Sequence, residues 1–198
     1  MNTWLRGLTL ALLLAPFSAL AQEPVSLTDL TAAAQSGSSD AQFALGNRYL
    51  YGEGVIADNF EAARWFTSAA EQGNNNAQYN LAVMYLQGTG VIADNKTAIE
   101  WFRKAAEQGD PPAQFTLATL YVNGRLLPAD PVQAHLWFAL AAASGHKAAA
   151  ANLVLYQEML SDDQITEAQR LANEWVEAFN QRRDSSDSAD AAQIRDSE

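Results

Sequence analysis

Residues 41–76, 77–112 and 113–148 can be written under one another without a gap. The first two share 20 of 36 positions, and the second and third share 14. This period constrains the fold more than any other feature. A unit of such a length is one supersecondary element that cannot bury its apolar face alone, so copies must stack to make a continuous core.

The repeated positions describe two helices and two turns. Ala41, Leu45 and Tyr49 recur as Ala77, Leu81 and Tyr85, and as Ala113, Leu117 and Tyr121. A spacing of four puts them on one stripe of a first helix. Gly46, Ala82 and Ala118 are small, which predicts close approach of another backbone. Gly52, Gly88 and Gly124 suit a helix C-terminus. Asp58, Asp94 and Asp130 are placed to cap a second helix; Glu61 completes a capping box with Asp58, and Pro131 fits a first helical position. The second helix carries Trp65-Phe66, Trp101-Phe102 and Trp137-Phe138, a ridge that packs between units. The loop "GVIADN" occurs at 54–59 and 90–95, and drifts to "LLPADP" at 126–131. It has neither the Gly-Lys-Ser/Thr ending nor the preceding strand of a phosphate loop, so it reads as a joint between helices.

The pattern A-Q-x-x-L-x-x-x-Y-x-x-G-x-G-V-x-x-D-x-x-x-A-x-x-W-F-x-x-A-A-E-Q-G resembles the Sel-one-like repeat, a relative of the tetratricopeptide repeat. The resemblance covers 41–148. It implies an all-α, α/α superhelix (solenoid) of antiparallel helix pairs and a role as adaptor or scaffold. Some cysteine-rich members have been described as β-lactamases or penicillin-binding proteins, whereas this chain has no cysteine.

Residues 22–40 read as an N-terminal capping helix, with Ala33, Ala34 and Gly37 matching Ala69, Ala70 and Gly73. Residues 149–183 read as a degenerate repeat followed by a capping helix that opens at the box Ser161 to Gln164. The polar segment 184–198 reads as a disordered acidic tail. Residues 1–21 have the layout of a secretory signal peptide cleaved after Ala21: Arg6, an apolar run and a small-x-small ending. The expected address is the bacterial periplasm, with secretion as the alternative. Removing Arg6 leaves 11 basic against 23 acidic residues, a net charge of −12. That balance speaks against nucleic acid, which needs a basic face.

No cofactor, metal site or catalytic residue is expected. The two histidines, His135 and His146, are 11 apart with no partner at ligand spacing and read as surface residues; no nucleophile turn of the G-x-S-x-G kind occurs. The chain therefore reads as an exported, non-enzymatic interaction scaffold with protein partners in the cell envelope. The alternative is an inhibitor or immunity-type protein against an envelope-acting enzyme. A cell-wall-active enzyme or glycan binder ranks third.

Partner-binding residues are sought where the units differ. Opposite the Ala-Leu-Tyr stripe stand Asn47, Arg48 and Tyr51; then Asn80, Val83, Met84 and Gln87; then Thr116, Thr119, Leu120 and Asn123; then Asn152, Leu155 and Tyr156. First helices of helix-pair solenoids line the concave side. The expectation is a shallow groove with an apolar centre for an extended peptide or a partner helix.

Overall fold

The computed structural model describes residues 26–195, so the signal segment lies outside the described residues. The described residues form nine helices in sequence and no strand. The first helices of the pairs are α2 (Ser39–Tyr51), α4 (Asn75–Gln87), α6 (Pro111–Asn123) and α8 (Lys147–Gln157). The second helices are α3 (Asn59–Glu71), α5 (Asn95–Glu107) and α7 (Pro131–Ala143). Helix α1 (Leu27–Gln35) precedes the array and α9 (Asp162–Arg195) closes it. Each helix packs on its neighbour in sequence through α8, and α9 returns to pack on α7. The result is an all-α solenoid of three full helix pairs with capping helices.

The joints follow from local hydrogen bonding. Gly52, Gly88 and Gly124 close the first helices in the left-handed conformation. Asp58, Asp94 and Asp130 cap the second helices, each through Oδ1 accepting two backbone amides. The amide of each Asp donates to the carbonyl of Tyr49, Tyr85 or Tyr121, at 2.9, 3.0 and 3.3 Å. This fastens the start of the second helix to the end of the first. It also removes half of the capping box expected at Asp58: its amide is taken by Tyr49, and Glu61 pairs instead with Arg64 at 2.6 Å. The box at Ser161 and Gln164 forms in both directions.

The core repeats with the sequence. Phe66, Phe102 and Phe138 are buried and pack on Phe43, Tyr79 and Phe115 at centroid distances of 5.8, 5.6 and 5.8 Å. Gly46 is small for a ring rather than a backbone: a Cβ there would lie 2.7 Å from Phe66. Trp65 packs on the α1–α2 cluster, and Trp137 meets Trp175 of α9 edge-on at 6.4 Å.

A glutamine relay crosses the units. Gln42, Gln78 and Gln114 are buried, and each Nε2 donates to a carbonyl of the preceding unit, from Ala34, Ala70 and Ala106. Gln72 and Gln108 then donate to Gln42 Oε1 and Gln78 Oε1 at 2.7 Å. In the third unit Ser144 stands where the glutamine would be, and Gln114 Oε1 is buried without a partner.

The expected disordered tail from 184 is helical through Arg195, as the continuation of α9. A helix already nucleated extends at low cost. Ser185, Ser186 and Ser188 return their hydroxyls to carbonyls three or four residues back, and 189–192 is alanine-rich.

Candidate functional site

The first-helix residues expected to bind a partner do not share one environment. Met84 is 3% exposed, in the cluster with Phe66 and Leu81, and its Cε lies 3.1 Å from where a Cβ on Gly90 would stand. It supports the following loop and faces no groove. Val83, Leu120 and Tyr156 are half-buried against the main core cluster, and Tyr156 meets Phe138 edge-on at 6.1 Å. Arg48 turns back to its own loop, 3.4 Å from the Glu53 carbonyl. Asn47, Asn80, Thr116, Thr119 and Asn152 are half-buried, and Asn80 donates to Asn47 at 3.4 Å. That bond places Asn47 and Asn80 side by side on successive first helices. Tyr51, Gln87, Asn123 and Leu155 are exposed.

A concavity lies elsewhere. A groove of about 750 Å³ runs between α3 and the loop 90–94 of the next unit. Among the described residues Tyr85 is its one lining residue on a first helix. Gly90 sets the wall in place. Its φ is +71°, and a Cβ there would fall 2.0 Å from the Asn59 carbonyl oxygen at the start of α3. The loop thus rests on the backbone of the neighbouring unit. Phe60 and Ile92 line the groove while 66% and 91% exposed. Arg64 and Asp94 are its charged members. Hydrogen bonds from the Thr97 hydroxyl and amide hold the Asp94 carboxyl below its usual range. In the third unit Leu126 replaces Gly90, and its loop borders a separate hollow of about 490 Å³ with Leu86 and Asn95.

Neither histidine is a simple surface residue. His146 caps α8 through Nδ1, accepting from Ala149 at 3.1 Å, and stacks on Phe115 at 4.6 Å. His135 is 3% exposed, and both ring nitrogens are buried without partners. The equivalent residues are Ala63 and Ile99, so the sequence signal for burial was the register of the repeat. Burial holds the His135 imidazole below the usual histidine range. Its neutral form is the one the fold accepts. Its contribution to stability is therefore intact above about pH 6.5 and is lost as pH falls through the lowered native value. His135→Ile is expected to lose less melting temperature than the unsubstituted chain between neutral and mildly acidic pH, measured by circular dichroism. Parallel curves would show that His135 plays no part. Among the described residues no group of three His, Asp or Glu is placed to hold a metal, and no helix is long and apolar enough to cross a membrane.

The Sel1 repeat matches residues 39–74, 75–110 and 111–146, more than half of the chain. The chain belongs to the Sel1 repeat family. Each matched unit starts at the first residue of a first helix, two residues before Ala41, Ala77 or Ala113. A Sel1 repeat protein from Oxalobacter formigenes is 41% identical, with a TM-score of 0.60, over 64% of this chain and 96% of that one. A protective antigen present in uropathogenic Escherichia coli strains, which displays the same fold, is 29% identical with a TM-score of 0.59. It aligns over 84% of this chain and 45% of its own length. No curated protein matches significantly. Sel1 repeat proteins are generally non-catalytic scaffolds for protein interactions. In this Sel1 repeat array the groove between α3 and the loop 90–94 joins the second helix of one unit to the loop of the next.

Proposed function

We propose that the chain is an exported interaction scaffold that takes an extended peptide or a partner helix. The observation that supports this reading is the groove beside α3. Phe60 and Ile92 keep large apolar surfaces in water there although the core does not need them. Apolar patches rimmed by polar groups are characteristic of protein interfaces. The first-helix face is a second reading, favoured by the exposed Tyr51 and Leu155.

Two double variants separate the faces. Phe60→Glu with Ile92→Glu is expected to abolish recovery of a partner from an envelope extract while the melting curve stays within a few degrees. Tyr51→Glu with Leu155→Glu is expected to leave recovery intact. The reverse pattern assigns the site to the first helices, and no loss with either pair sinks both. The export reading is checked separately: the protein should appear in the periplasmic fraction with Gln22 as its first residue.

A further inference from the structure

Helix α9 carries a second surface of different chemistry. Trp175, Phe179, Arg182, Arg183 and Ser186 fall at i, i+4, i+7, i+8 and i+11, along one face over about 16 Å of helix. The start of this face is aromatic and packed. Trp175 stacks on Phe179 at 4.9 Å, and the Phe179 ring lies 3.2 Å from where a Cβ on Gly109 would stand. Past that contact the face turns cationic while still bordering the end of α5. Two adjoining hollows, of about 520 and 240 Å³, share Glu107, Gln108 and Arg182 and so form one trough.

Its charge is opposite to that of the chain. Among the described residues Lys104, Arg182 and Arg183 border the trough with a single carboxylate, Glu107, in a protein of net charge −11. Lys104 is held over the Trp101 ring, its Nζ 3.9 Å from the centroid. Among the described residues neither Lys104 nor Arg182 has a carboxylate within 4.0 Å, whereas Arg48, Arg64 and Arg170 are each paired. One wall is fixed by the bond from Gln108 to Gln78. Trp175 lines the same trough. Cations without a carboxylate partner beside an aromatic base match a ligand rich in oxygen anions.

We infer that the trough between α5 and α9 binds an acidic peptide segment. Lys104 and Arg182 take its carboxylates, and the Trp175–Phe179 stack takes an apolar side chain between them. The surface is separate from the groove beside α3, so either can fail alone. The test uses the full mature chain and a short fluorescein-labelled peptide alternating Glu and Ser around one Leu, followed by anisotropy. Its counterpart with Lys in place of Glu is the control.

The Glu peptide is expected to bind and the Lys peptide not to. Lys104→Glu with Arg182→Glu should weaken binding at least about ten-fold, and raising ionic strength to about 0.3 M should weaken it as well. Phe60→Glu with Ile92→Glu should leave it unchanged. Should the charge reversals disturb the melting curve, Lys104→Gln with Arg182→Gln gives the same reading. Absence of binding by the Glu peptide, or binding indifferent to the Lys104 and Arg182 variants, overturns the inference. So does sedimentation showing a dimer that those variants dissociate, because the occupant is then a second copy of the chain.

Discussion

Phe102→Ala is expected to cost about 3–5 kcal/mol, the range for emptying a fully buried aromatic site. Phe102 is 1% exposed and meets Tyr79 edge-on at 5.6 Å. It belongs to the cluster that joins Ala82 and Ala98 of its own unit to Leu117 and Ala118 of the next. Domains of ordinary stability hold about 5–15 kcal/mol in all, so this one ring decides a large share of the balance. Position adds to the effect. Solenoid stability is close to a sum of unit terms and nearest-neighbour interfaces, and Phe102 lies in the middle unit. Its loss should lower the urea midpoint and also split the transition, since the outer units no longer report on each other. Phe60→Ala, at an exposed position one unit earlier, should change stability by less than about 0.5 kcal/mol. A Phe102→Ala protein that melts within a degree of the unsubstituted chain would contradict the core described above.

The second large effect is expected at Gly90. An added Cβ meets the Asn59 carbonyl oxygen at 2.0 Å and its carbon at 2.5 Å. These are backbone atoms at the start of a helix and cannot rotate aside. Gly90→Ala therefore combines the left-handed backbone penalty of about 1–2 kcal/mol with a steric displacement of about 1–3 kcal/mol. Gly54 occupies the same place in the first loop, with φ +78° and nothing within 4 Å of its absent Cβ. Gly54→Ala should show the backbone penalty alone. The difference between the two variants in urea unfolding measures the contact between units, and identical losses would remove it. Gly90→Ala should also displace the loop that walls the groove, so any partner held there should be lost before the fold is.

The period, the two helices of each unit, the caps and the Phe ridge were legible in the sequence because each is set within a unit and shown three times. The misread features depend on contacts between units. Met84 occupies the place of Arg48 and Leu120, polar in one copy and apolar in the other, and only the loop resting against α3 explains its burial. Residue type alone puts His135 on the surface, whereas its register, in which Ala63 and Ile99 precede it, puts it inside. The groove itself depends on Gly90 reaching Asn59, a contact across 31 positions with no local signature. Phe179 meeting Gly109 is more distant still, and it brings α9 against the end of α5. The glutamines were visible as A-Q and E-Q-G at constant spacing, but their meaning required knowing that the first faces a carbonyl of another unit.

That relay bears on how such an array can grow. A second copy of residues 75–110 inserted after Asp110 would carry both glutamines and present the carbonyl that the following unit expects. The glutamine side chains of the new joint would all find the partners that they have in the present array. A second copy of 111–146 would bring Ser144 in place of the glutamine and leave a further side-chain oxygen bare in the interior. Lengthening by duplication is thus open in the middle of the array and penalised at its end, and the unit that carries the penalty is the one already divergent.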